Sequence, residues 1–200
     1  KDIKDICSCI TNQDILEYAC YVGHWWDFLQ SYNPKQHTAF DPYNPSEKAN
    51  LAKELSDAKQ KHPNIKYYNI GYENYVGKHD VVICAGLIYK LSSPFHLLED
   101  IVARQPHTIL IENFGSYKPL NSWKKMTLDI KNSENIDMAT NRNTTTPRLP
   151  WYVLDVEPGL IENAFNYLNY QMTDFITTCN KFLEFEHKNK TTTMMKFEPR

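Results

Sequence analysis

Between residues 13 and 113, short apolar runs alternate with longer stretches whose apolar side chains recur at helical spacing. That alternation marks a parallel sheet wrapped by helices, because consecutive parallel strands need a crossover connection. The clearest run is His79-Asp-Val-Val-Ile-Cys-Ala-Gly86, apolar at its centre as expected of a strand buried on both faces. Further strands are read at residues 13–20, 37–41, 64–70 and 107–113. Helical spacing occupies 24–32, 47–61 and Pro94 to Arg104, and Ser46, after the breaks at Pro42 and Pro45, is placed to cap the second of these. Five strands and three crossover helices in so short a stretch predict a doubly wound α/β half.

Residues 116–150 lose the periodicity and are rich in Asn, Thr, Lys and Pro, which reads as a surface loop or as a lid or substrate-recognition segment. Order returns at 151–155, a helix follows at 157–168, and residues 181–198 supply two antiparallel strands joined through His187 to Lys190. The expected architecture is therefore one α/β domain over 1–200. It is Rossmann-like and doubly wound, with a mostly parallel seven-stranded sheet and an antiparallel C-terminal hairpin.

Lys and Arg total 22 against 24 Asp and Glu, a formal charge of −2, which excludes a globally basic nucleic-acid coat but not a local patch. Five cysteines without a Cys-x-x-Cys pair read as reduced thiols of a cytoplasmic protein, and no zinc spacing accompanies them, so no metal is expected. No apolar run approaches the ~18 residues of a membrane helix, so no membrane partner is expected.

In an open α/β sheet, ligands bind beyond the carboxyl ends of the strands, where strand order reverses. The first strand ends in Glu17-Tyr-Ala-Cys-Tyr-Val-Gly23, where the small Ala19 and Gly23 allow a tight turn and close approach of a ligand. The second ends in Asp41, 18 residues beyond Gly23, a spacing that suits a carboxylate receiving the hydroxyls of a ribose. A dinucleotide wants three glycines and room for pyrophosphate, yet Tyr21, His24, Trp25 and Trp26 crowd this turn. Glu17 would repel a pyrophosphate and suits an ammonium or sulfonium. The sign of its charge favours S-adenosylmethionine as cofactor.

These segments resemble class I S-adenosylmethionine-dependent methyltransferases. Ile15-Leu-Glu-Tyr-Ala-Cys-Tyr-Val-Gly23 is similar to their first motif, Phe40-Asp-Pro42 to the second, Asp80 through Pro94 to the fourth-strand motif and Ile109-Leu-Ile-Glu-Asn113 to the fifth strand. Within that superfamily the pattern resembles the tRNA wobble-uridine carboxymethyltransferase type. Asp41-Pro42 ends strand two there, Gly71-Tyr-Glu73 follows strand three, Gly86-Leu-Ile-Tyr89 with Ser93-Pro94 follows strand four, and Pro150-Trp-Tyr-Val-Leu154 precedes a helix. The resemblance implies that Glu17, Ala19 and Gly23 line the methionine half of the cofactor and that Asp41 holds its ribose. It further implies that Tyr72 and Glu73 border the adenine, that Ala85 and Gly86 flank the sulfonium, and that Tyr89 faces the acceptor.

The chain departs from that pattern in Ala19 where the family prefers Gly, in Lys90 after the tyrosine, and in lacking a clear match for a basic residue within Thr191 to Lys196. Ordinary S-adenosylmethionine is therefore expected, with a small metabolite, a sugar or an RNA base as acceptor. Methyl transfer from a sulfonium is an in-line displacement in which alignment alone supplies roughly 7–11 kcal/mol. His24 and Tyr89 are the candidate catalytic groups, with Glu112, Asn113, Trp151 and Tyr152 also on the acceptor side. Two other readings stay open, an S-adenosylmethionine-binding enzyme of another reaction class and a non-catalytic binding module of the same fold.

Overall fold

The computed structural model describes residues 2–42, 49–88, 91, 93–114, 127–129, 153–155, 158–179 and 191–200. The strands are β1 (Asp14–Tyr18), β2 (Gln36–Phe40), β3 (Lys66–Tyr68), β4 (Val81–Ala85), β5 (Thr108–Phe114), β6 (Thr127–Asp129), β7 (Val153–Asp155), β8 (Tyr170–Cys179) and β9 (Thr191–Pro199). The α-helices are α1 (Ile3–Cys7), α2 (Trp26–Gln30), α3 (Ala49–Lys61), α4 (Pro94–Ala103) and α5 (Pro158–Tyr167). Seven strands form one sheet in the order β3-β2-β1-β4-β5-β9-β8, while β6 and β7 pair separately. The first five positions are parallel; β9 runs antiparallel to both β5 and β8. The expected mostly parallel seven-stranded sheet with its antiparallel hairpin is present.

Strand order reverses between β1 and β4, since the chain winds outward from β1 through β2 to β3 and then returns to β4 on the other side. The connections leaving β1 and β4 therefore diverge at their carboxyl ends and open a crevice there. Side chains alternate across the strands. Leu16, Tyr18, Phe40, Val82 and Cys84 face α4 and α5, where Leu97, Ile101, Leu160 and Phe165 bury their apolar stripes. Ile15, Val81 and Ile83 face the opposite way onto α1 and Leu29 of α2. Leu51 and Leu55, one helical turn apart on α3, join Trp26 and Ala39 in a third cluster.

Several boundaries differ from the expectation. β1 stops at Tyr18 rather than 20 because Ala19 turns to φ +54°, which no strand residue adopts. The second helix is confined to Trp26–Gln30, and β3 to Lys66–Tyr68. The hairpin begins at Tyr170, only three residues after α5, and its first strand is Tyr170–Cys179, earlier than the 181–198 tail allowed. Tyr170, Met172 and Ile176 fall on its more buried face, the alternation that a half-buried strand needs. Within the ordered stretch read at 151–155, Val153–Asp155 pairs with Thr127–Asp129 in the small sheet. The crossover from β3 to β4 contains no α-helix, only the 3-10 turn Tyr72–Asn74. The Ser46 cap and, apart from Thr127–Asp129, the expected lid at 116–150 lie outside the described residues. Among the described residues no helix is long and apolar enough to cross a membrane.

Candidate functional site

The turn that follows β1 is built from three residues in the left-handed region, Ala19 (φ +54°), Tyr21 (φ +54°) and Gly23 (φ +84°). Gly23 has two reasons to be glycine. Its φ disfavours a side chain, and a Cβ there would stand 2.7 Å from Cδ2 of the Trp26 indole. Trp26 is thus packed flat beneath the turn and is fully buried, so its ring does not reach the crevice. Trp25 packs edge-on against Phe28 in the α1-side cluster.

The ends of β1 and β2 meet directly. Asp41 is 5% exposed, and its Oδ2 accepts the backbone N–H of Tyr21 at 2.8 Å. Cys20 N–H donates to the Phe40 carbonyl (3.3 Å), and Asn69 Nδ2 donates to the Asp41 carbonyl (2.8 Å), so the turns after β1, β2 and β3 are stitched into one rim. A carboxylate oxygen has more than one lone pair, so an acceptor engaged by a backbone N–H still has acceptor capacity toward hydroxyls.

Glu17 lies one layer below. Its Oε2 accepts from Trp26 Nε1 (3.0 Å) and from His37 Nε2 (3.1 Å), and the group is 1% exposed. Gln30 Nε2 donates to His37 Nδ1 (3.0 Å), which leaves Nε2 to carry the proton directed at Glu17. The Glu17 carboxyl oxygen therefore supports the indole under Gly23 from within the core. His37, inside a strand, carried no sequence signal for this partnership.

On the other side of the crevice, Gly86 follows β4 at φ +68° and donates its N–H to the Glu112 carbonyl (3.4 Å). Ala85 and Gly86 are partly exposed, whereas Glu112 and Asn113 at the end of β5 are buried. His24 leans toward α3, with Nε2 3.9 Å from Glu54 Oε2 and its ring edge-on to Tyr21 at 5.3 Å. Tyr89, Trp151 and Tyr152 lie outside the described residues. Burial, together with the nearby Glu17 and Asp41 carboxyls, pushes the Cys20 thiol far up its scale, so it is a packed thiol and not a nucleophile. Among the described residues no cluster of three His, Cys, Asp or Glu side chains is arranged to hold a metal ion.

Tyr72 and Glu73 stand beside the rim on the 3-10 turn. Together with His96, Glu99, Asp100 and Ala103 of α4 they line an open cleft of about 360 Å³. Sequence reasoning missed what fixes this wall. Arg104 donates through Nη1 to the Tyr75 carbonyl (3.0 Å) and through Nη2 to the Tyr72 carbonyl (3.1 Å), while also gripping Asp100. The Asp100/Arg104 spacing of four residues on one helix was the available clue.

No protein-family model matches the chain. It is 35% identical over 104 residues to the tRNA U34 carboxymethyltransferase of Campylobacter jejuni subsp. doylei, and 34% identical over 104 residues to that of Campylobacter jejuni subsp. jejuni serotype O:2. The matched stretch is 50% of this chain and 34% of each relative, so the chain aligns with about a third of the length of these curated relatives. Among solved structures, a 1,6-didemethyltoxoflavin-N1-methyltransferase of Burkholderia thailandensis with bound S-adenosylhomocysteine superposes with a TM-score of 0.64 at 12% identity, covering 97% of this chain and 77% of that one. An S-adenosylmethionine-dependent methyltransferase of Mesorhizobium loti gives a TM-score of 0.60 at 11% identity, covering 95% and 92%. The chain has the class I fold of S-adenosylmethionine-dependent methyltransferases.

Proposed function

We propose that this chain transfers a methyl group from S-adenosylmethionine by in-line displacement, with an RNA base as acceptor. The observation that carries the cofactor reading is the contact between the ends of β1 and β2, where a buried Asp41 carboxylate is held by the Tyr21 N–H at the mouth of the reversal in strand order. A group so placed accepts the hydroxyls of a ribose. Ala19 and Gly23 leave the methionine half room beside the turn, Ala85 and Gly86 border the sulfonium from β4, and Tyr72 with Glu73 flanks the adenine. Glu17 acts on this site from below, by holding Trp26 against the turn. His24 and Tyr89 are the acceptor-side groups of this reading, and the 116–150 segment its lid.

The bound cofactor supplies an electrophilic methyl group on a good leaving group. The protein's work is to align the acceptor behind that methyl and to exclude water, and a base is needed only where the acceptor must lose a proton. The sequence likeness to tRNA-modifying relatives favours an RNA base over a small metabolite or a sugar. The thiols at Cys7, Cys9, Cys20 and Cys84 are unpaired, which fits a cytoplasmic setting.

Mass spectrometry of the purified protein for a co-purified adenosyl ligand tests the cofactor, and the ligand's mass separates S-adenosylmethionine from a carboxylated form. S-adenosylhomocysteine accumulating with RNA indicates that a methyl group has left. Binding without that product points to the non-catalytic reading, and other cleavage products point to another reaction class. In calorimetry, Asp41→Ala weakens S-adenosylmethionine binding by about 1–3 kcal/mol, and Asp41→Asn, which keeps an acceptor for Tyr21, by less. Unchanged affinity in the alanine variant removes the ribose assignment.

A further inference from the structure

A crossover from one edge of a parallel sheet to its middle usually travels as a helix, which fixes its own course by internal hydrogen bonds. Here the path from β3 to β4 has only the turn Tyr72–Asn74, closed by Asn74 N–H to the Gly71 carbonyl (3.1 Å) and Tyr75 N–H to the Tyr72 carbonyl (3.2 Å). So short a turn takes its position from outside anchors. One is apolar, the Tyr75 ring stacked on Phe40 with centroids 5.4 Å apart. A second is the Arg104 side chain, 9% exposed and one residue beyond α4.

Arg104 reaches four partners with its planar fork. Two donors take the carbonyls of Tyr72, the first residue of the turn, and Tyr75, the residue just after it. The Asp100 carboxylate receives Nε (3.1 Å) and Nη2 (2.9 Å), and Tyr18 at the end of β1 receives Nε while donating its own hydroxyl to Asp100 (2.8 Å). Burial raises the Tyr18 phenol well above its ordinary range, so that hydroxyl keeps the proton it donates. The two walls of the open cleft, the Tyr72–Glu73 side and the α4 side, are therefore joined at their base by one guanidinium. A lysine cannot span two carbonyls and a carboxylate in this manner.

We propose that Arg104 is a positioning residue that sets the separation of Tyr72 and Glu73 from α4, and through it the recognition of a purine base carrying an exocyclic amine. The cleft offers carboxylate acceptors (Glu73, Glu99) beside an aromatic ring, which suits an amine donor and disfavours a carbonyl at the same position, while Asp100 is engaged by Arg104 and Tyr18. This proposal rests on the reading of the crevice as an adenosyl site.

The test compares S-adenosylhomocysteine with its deaminated analogue, S-inosylhomocysteine, by calorimetry on the full chain. The wild type is expected to favour the adenosyl ligand by about tenfold or more. Arg104→Ala lowers affinity for the adenosyl ligand about tenfold and leaves the inosyl ligand within about twofold, so the preference collapses. Arg104→Lys, which keeps the Asp100 pair and so protects folding, gives a partial collapse and decides the matter if the alanine variant does not fold. Equal losses for both ligands, or an unchanged preference in the lysine variant, overturn the positioning role. A wild type that binds neither ligand overturns the adenosyl reading itself.

Discussion

Glu17 and Tyr18 are neighbours on β1, and their side chains leave the sheet by opposite faces. Each ends in a polar lock, and the locks differ in kind. The Glu17 lock is made wholly of side chains, Trp26 and His37 with Gln30 behind, and is sealed in the core. The Tyr18 lock ends on backbone, because Arg104 passes the connection from Tyr18 and Asp100 to two carbonyls of an exposed turn. One face thus carries a fixed floor under the turn after β1, while the other carries an adjustable wall. A strand that alternates between faces every residue can serve both sides of a ligand crevice with consecutive positions.

The sharpest way to break this comparison is to remove the floor. Glu17→Ala leaves two buried donors, the Trp26 indole N–H and His37 Nε2, without their acceptor, and each costs about 1–3 kcal/mol. The expected loss is about 3–5 kcal/mol of unfolding free energy in urea. Glu17→Gln retains an acceptor oxygen and loses less. If Glu17→Ala unfolds at the wild-type urea concentration, the buried trio is not what holds the turn.

Tyr18→Phe tests the wall and is expected to be milder. It removes one hydroxyl, but Asp100 and Arg104 keep each other through three contacts. The ring retains its edge-on packing against Phe40 at 4.6 Å. The expected cost is about 1 kcal/mol, read from the same urea midpoints. A cost equal to that of Glu17→Ala would erase the distinction between floor and wall.

The legibility of the sequence follows the same division. Apolar periodicity announced β1, β2, β4, β5, α3 and α4, since burial of a regular element writes itself as a repeat of two or 3.6 residues. The reversal of strand order and the nearness of Asp41 to the turn followed from those elements. What the pattern could not carry was partnership between distant polar groups. Glu17 was read toward a ligand from the sign of its charge beside the turn, and nothing local reveals that Trp26 and His37 both hydrogen-bond its Oε2. No helical period falls between β3 and β4, and only a 3-10 turn of three residues stands there. Tyr170–Cys179 was passed over because α5 runs into it with only Leu168 and Asn169 between, Asn169 turning at φ +63°.

Ala19 closes the series as the smallest expected effect. It sits at φ +54°, where an alanine methyl crowds the backbone by about 1–2 kcal/mol. Replacing it with glycine relieves that crowding but frees the unfolded chain, which opposes the gain by about 0.4–1 kcal/mol. The net expectation for Ala19→Gly is a stabilisation of about 0.5 kcal/mol, seen as a higher urea midpoint with an unchanged slope. Tyr21, at the same φ, offers no such gain, because its N–H is fixed by Asp41 and its ring packs on His24. The strain at position 19 is therefore separable from the clamp at 21. A destabilised Ala19→Gly variant would mean that the methyl group itself packs the turn, and the floor would then include Ala19 as well as Glu17 and Trp26.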